Sequence, residues 1–153
     1  MKKMAWFALF IVVAGLLAAQ TAEEMDHILN TRALSSAQAA WFIMMAANKL
    51  PSGIDAFALA RERHWLSPRA RPDSPIQLGE ASYLIMRSFD LKGGILYTLF
   101  PGPRYACREL VALQFIQGKT DPGSRLGGVE FLQLLGRVLT HTETNDTAGA
   151  RRE

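Results

Sequence analysis

The chain has 153 residues, of which 49% are hydrophobic and 20% are charged, as expected for one globular domain rather than a disordered segment. Its formal net charge is +3, but Lys2, Lys3, Arg151 and Arg152 lie at the ends, so the predicted folded part is almost neutral. This argues against a nucleic-acid binder, which needs a clustered basic face. The single cysteine, Cys107, excludes an internal disulfide.

Residues 1–22 have the layout of a secretion signal. Lys2 and Lys3 form a positive start, residues 4–19 are an uninterrupted apolar run, and acidic residues follow from Glu23. The run is shorter than the ~20 residues that a membrane-spanning helix needs, and an uncleaved N-terminal anchor is the alternative interpretation. We therefore predict a protein exported to the periplasm or cell envelope of a bacterium, whose contact with the membrane is limited to this signal segment.

The rest of the chain is predicted to be helices joined by loops rich in proline and glycine. Segment 94–100, GILYTLF, is either a short strand or a helical turn, because its apolar run fits both. Ser52 is the expected N-cap of the third helix. Beyond Leu139 the polar composition predicts a disordered tail over residues 140–153. The candidate helices are 24–30, 36–48, 53–65, 78–89, 104–115 and 128–139.

An internal repeat is the most informative feature of the sequence. Residues 56–89 match residues 106–139 without a gap after a shift of fifty positions, and residues 38–44 resemble residues 80–86. A helix–loop–helix unit cannot bury its apolar side alone, so neighbouring copies are expected to cover each other's faces. The sequence thus predicts a mainly α fold, a small helical domain of about two and a half copies over residues 23–139. The expected units are a half-copy at 23–50 and copies at 51–92 and 101–139.

The second copy carries a recognisable pattern in residues 110–139. An apolar helix end is followed by Ile116 and Gly118, a loop with Asp121, a glutamate at Glu130 and a Leu-x-Arg-x-Leu ending around Arg137. This pattern resembles the S-layer homology repeats, helix–loop–helix units found on exported bacterial proteins. The resemblance implies a helical repeat fold and an envelope setting. The family's Thr-Arg-Ala-Glu run, whose arginine is associated with binding of cell-wall polymers, is not present before Glu130 or before its counterpart in the first copy, Glu80.

The residue types that carry chemistry are scattered along the chain. His27, His64 and His141 lack the spacing of metal ligands, and His64 is expected to be a partly buried structural residue. Cys107 shares a helical stripe with apolar residues and is expected to be buried. We therefore predict no catalytic residue, no cofactor and no metal, and keep a small periplasmic enzyme using Cys107 or His64 as the less favoured alternative.

Charged side chains in loops 67–75 and 118–125 are the candidate binding residues. They suggest a non-catalytic envelope module that binds a cell-wall polymer, an outer-membrane component or a partner protein. A second hypothesis is a subunit or regulator of a larger envelope complex, because a half-copy containing Trp41 exposes an apolar face. Tyr97, Phe100 and Tyr105 either pack between the copies or form a groove for a sugar or peptide. The candidate binding residues are Arg69, Arg71, Asp73, Lys119, Asp121 and Arg125.

Overall fold

The predicted mainly helical fold is confirmed by a computed structural model that describes residues 28–118 and 120–150. These residues form six helices, and their only β-type pairings are isolated bridges. The predicted signal at 1–22 and most of the first predicted helix lie outside the described residues. The helices are α1 (Ser36–Ala46), α2 (Ala56–Glu62), α3 (Leu78–Ser88), α4 (Ile95–Leu99), α5 (Pro103–Ala112) and α6 (Gly128–Ala150).

Side-chain caps fix where the first two helices begin. Ser35 and Gln38 form a reciprocal capping box at the start of α1. At α2 the cap is Asp55, whose carboxylate accepts the backbone N–H groups of Phe57 and Ala58. The prediction that Ser52 caps this helix is therefore wrong. Asp55 is the residue whose side chain reaches the unpaired N–H groups of the first turn, so the helix begins later than the sequence indicated.

Four helices end in the same way, each with a residue other than glycine in the left-handed region. These residues are Asn48, His64, Asp90 and Gln114, with φ of 53°, 57°, 50° and 62°. The N–H of the following residue then reaches back five positions, as from Trp65 to the Ala60 carbonyl and from Phe115 to the Leu110 carbonyl. This closure is the Schellman motif, which satisfies carbonyls at a helix end. His64 is exposed in this role, so its predicted partial burial is wrong.

A closed ring of backbone hydrogen bonds lies at the centre of the fold. Leu34 donates its N–H to the Leu126 carbonyl (2.9 Å), Leu126 donates to Ile76 (3.2 Å), and Ile76 donates to Leu34 (2.9 Å). All three side chains are buried. We call these three residues the central ring. Because helices α1, α3 and α6 each begin two residues after a ring residue, the ring gathers the N-terminal ends of three long helices around one point.

Pairs of helices pack outward from the ring. α1 lies against α2, and α3 lies against both α5 and α1. Short helix α4 connects α3 to α5 and packs on α5, which settles the structure of segment 94–100 as a helical turn. The buried core is continuous from one pair to the next. Its largest fully buried side chains include Ile43, Met44, Leu84, Met86, Leu110 and Phe131.

Helix α6 continues to Ala150, so the prediction of a disordered tail is wrong for residues 140–150. The polar side chains of the tail bond to the helix itself: Thr140 and Thr144 donate their hydroxyls to carbonyls four residues back. His141 also packs its ring against Phe115, with centroids 5.1 Å apart. Residues 140–150 are therefore helical despite their polar composition, and the His141 contact joins the first turn beyond Leu139 to the core.

Candidate functional site

Loops 67–75 and 118–125 lie beside the central ring, each against the start of a different helix. The Ser74 carbonyl accepts the Ser36 N–H of α1 at 2.9 Å, and the Ser124 carbonyl accepts the Leu78 N–H of α3 at 2.8 Å. Their carbonyls thereby satisfy donors that a helix N-terminus leaves unpaired. The fold consequently brings both predicted binding loops to the same end of the molecule, although they do not share one helix.

The candidate residues of the first loop differ in their surroundings. Arg71 and Asp73 form an ion pair of 3.6 Å between their side chains, and both are largely exposed. Such a pair contributes about 0–1 kcal/mol, so a charged ligand can compete for either partner. The Arg69 side chain is exposed and enters none of the ion pairs of the described residues. The loop therefore presents one guanidinium without an acidic partner and one that is weakly held.

In the second loop the acidic side chain bonds to the backbone of its own loop. The Asp121 carboxylate accepts the Gly123 N–H at 3.2 Å, and Ser124 donates its hydroxyl to the Asp121 carbonyl at 2.8 Å. Asp121 is thus a turn-forming residue. The Arg125 backbone forms an isolated bridge with Gln77, and Arg125 itself is exposed. Lys119, the remaining candidate, lies outside the described residues.

The repeated glutamate and arginine of α6 do not pair with each other. The Glu130 carboxylate accepts the Gly127 N–H at 3.3 Å, near the helix start. Arg137 donates from Nη1 to the Phe115 carbonyl at 2.9 Å and so fastens α6 to the end of α5. Both line a cavity of about 50 Å³. Their contacts are structural, because each side chain satisfies a backbone group.

Cys107 is buried in the interface between α3 and α5. Its Sγ lies 3.8 Å from the Thr120 carbonyl. Burial raises the pKa of the Cys107 thiol most strongly, a hydrogen bond with Ser82 lowers it by less, and Asp121 has the smallest effect, which raises it. The thiol is therefore held in its protonated form, which is the unreactive form of a cysteine.

An apolar groove beside α1 is the feature that the sequence did not reveal. Its cavity has about 500 Å³ and lies between α1 and the start of α2. Trp41 is partly exposed there, with its ring edge-on to Phe42 at 4.7 Å. The apolar face of the half-copy indicated Trp41, but Ile28 and Ile54 contribute to the groove from the segments before and after α1. The lining residues are Ile28, Ala37, Gln38, Trp41, Phe42, Ile54, Asp55 and Ala56.

Comparisons with family models, with curated proteins and with solved structures find no match to this chain. Among the residues that the structure describes, no three histidine, cysteine, aspartate or glutamate side chains are grouped to hold a metal ion. Nor does any helix within that part of the chain have the length and apolar character to cross a membrane. The functional interpretation consequently depends on the two loops and the groove.

Proposed function

We propose that the chain is an exported, non-catalytic module of a bacterial cell envelope that binds an anionic envelope polymer through loops 67–75 and 118–125. The observation that carries the proposal is the position of both loops beside the central ring with their arginines outward. Arg69 and Arg125 are exposed, Arg71 is held only by an exposed pair, and Asp121 is occupied by its own loop. The exposed guanidinium groups of these loops can bind anionic groups of a polymer.

The envelope setting is supported by the sequence and by the arrangement of the helices. Residues 1–22 have the layout of a secretion signal. The three helices that begin at the central ring are those assigned to the half-copy and the two copies of the S-layer homology-like unit, and their starts are matched by equivalent loop contacts. The buried, protonated Cys107 and the exposed His64 supply no arrangement for nucleophilic catalysis, which supports a binding role.

Sedimentation with isolated envelope fragments of the source bacterium tests this proposal. We expect the purified protein to sediment with the fragments at low salt and to be released as salt is added, because exposed charges are screened. Arg69→Gln combined with Arg125→Gln should weaken binding by roughly ten-fold. Lys49→Gln combined with Arg63→Gln is the matched control, since it removes two charges at the far ends of α1 and α2. Equal loss in both double variants, or no sedimentation of the unaltered protein, contradicts the proposal.

A second candidate function, a subunit or regulator of a larger envelope complex, is favoured by the groove beside Trp41. The polar groups in its lining are occupied: Gln38 belongs to the capping box of α1, and Asp55 caps α2. The groove therefore suits an apolar segment of a partner protein better than a sugar, which needs available hydrogen-bond partners. Crosslinking in intact cells should then yield a defined partner whose capture is lost with Trp41→Ser and kept with Arg69→Gln/Arg125→Gln.

A further inference from the structure

Short helix α4 and the residue after it expose four apolar side chains. Ile95 is 79% exposed, Leu99 is 64% exposed and Phe100, directly after the helix, is 61% exposed. Leu96 adds a further partly exposed side chain. Single exposed apolar residues are ordinary, but a contiguous group of four marks a surface that is covered by something else.

The fold holds this surface in place through one buried anchor. Tyr97 is the buried residue of α4, and its ring meets the Tyr83 ring of α3 with centroids 6.3 Å apart. Gly93 allows the close approach, because a Cβ at this position would overlap the Tyr97 ring. Thr98 donates its hydroxyl to the Gly94 carbonyl at 3.1 Å and braces the turn. The helix is thus fixed on its inner side and presents its apolar side outward.

Exposed basic side chains outnumber exposed acidic ones next to α4. Residues 91–108 contain three basic side chains and no acidic one. Lys92 precedes the helix, and Arg104 and Arg108 lie one turn apart on α5. All three are exposed. Two acids border this stretch: Asp90 pairs with Lys49 at 2.7 Å, and the half-buried Glu109 places its carboxylate against Gly94 at the start of α4.

We propose that α4 docks this protein on an anionic lipid bilayer, with Ile95, Leu99 and Phe100 inserted at the level of the headgroups and Lys92 and Arg104 against the lipid phosphates. Exposed apolar side chains flanked by basic residues are the combination that binds a surface of anionic lipids. The proposal goes beyond the sequence expectation that the signal segment alone contacts the membrane. It uses other residues than the proposed polymer binding, which depends on loops 67–75 and 118–125.

Partition into lipid vesicles tests the proposal with the full chain. The unaltered protein is compared with Leu99→Ser/Phe100→Ser on vesicles of phosphatidylcholine alone and on vesicles that also contain phosphatidylglycerol. Met45→Ser/Val129→Ser is the matched control, because these two side chains are 50% and 46% exposed on other parts of the surface. Every variant keeps the same apolar run at residues 4–19, so any difference between them arises from the substituted surface.

We expect the α4 variant to partition into the anionic vesicles roughly ten-fold less than the unaltered protein, and the control to remain within about two-fold. Lys92→Gln/Arg104→Gln should lose the preference for anionic over neutral vesicles. A fluorescent label on Thr98→Cys, in a Cys107→Ser background, should shift to the blue when anionic vesicles are added. The spectral shift of the label on α4 should persist in Arg69→Gln/Arg125→Gln, which separates this result from the test of polymer binding.

Two results would overturn the proposal. The first is equal partition of the α4 variant and the unaltered protein, with no spectral change of the label. The second is a lipid-free dimer that Leu99→Ser/Phe100→Ser dissociates and the control does not, because a second copy of the chain would then cover this face.

Discussion

Gln114 occupies a backbone conformation that side chains other than glycine rarely adopt, with φ of 62° directly after α5. The left-handed region costs a residue with a Cβ about 1–2 kcal/mol, and a glycine removes this cost. The glycine also loses more backbone entropy on folding, which offsets about 0.5–1 kcal/mol of the gain. We therefore expect Gln114→Gly to raise the free energy of unfolding by about 0.5–1 kcal/mol in urea titrations.

The matched control for this prediction is Gln133→Gly, an exposed position in the interior of α6. There a glycine should lower the free energy of unfolding by about 1 kcal/mol. Glycine loses more backbone entropy than glutamine when the helix folds, and no strain is relieved at this position. A loss of stability in both variants would mean that the left-handed end of α5 carries no strain.

Single residues also show where sequence reasoning stops. Asp55, not Ser52, caps α2, since both types are good caps and only the folded path decides which side chain faces the free N–H groups. His64 was predicted to be partly buried because it precedes Trp65, yet it ends the helix in an exposed left-handed position. Left-handed ends normally have glycine, so four ends without one give no signal in the sequence.

At the scale of elements, the start of α6 is packed against the beginning of the described chain. A Cβ at Gly128 would overlap the Ile28 carbonyl group, whereas Gly136 in the same helix has open space around it. Gly128→Ala should therefore lower the free energy of unfolding by about 1–3 kcal/mol, because backbone atoms have to move. Gly136→Ala should raise it by about 0.5–1 kcal/mol through helix propensity alone. Thermal unfolding of both variants checks the pair, and two changes of the same sign would contradict this packing.

The elements were predicted unevenly for physical reasons. Most core helices follow from apolar residues at helical spacing, as in α3 and α6, where each buried face is continuous in the sequence. Segment 94–100 stayed open between strand and helix because five apolar residues fit both periods, and its buried Tyr97 decides for a helical turn. The extension of α6 past Leu139 is supported by the His141–Phe115 contact, which composition does not reveal.

At the scale of the whole molecule, the candidate site depends on backbone contacts between distant segments. The charged residues of loops 67–75 and 118–125 were identifiable from the sequence, whereas their common position was not. The central ring places them together through N–H and carbonyl groups, which every residue possesses and which leave no side-chain pattern. The groove beside Trp41 was equally hidden, because Ile28 and Ile54 contribute to it from outside α1.

The central ring should also make the described domain unfold as one unit. Each ring residue lies two positions before a different long helix, so loss of one buried side chain weakens the point where all three helices begin. Ile76→Ala removes a fully buried side chain and should lower the free energy of unfolding by about 2–5 kcal/mol. Far-ultraviolet circular dichroism and tryptophan fluorescence, to which Trp41 and Trp65 contribute from the described residues and Trp6 from outside them, should report coincident transitions shifted to the same lower midpoint. Ile54→Ala is the control, because its side chain is 48% exposed and its removal should change stability by no more than about 1 kcal/mol. Separate transitions for the two probes in Ile76→Ala would show that the helical pairs fold independently, and the ring would then be a consequence of their packing rather than its centre.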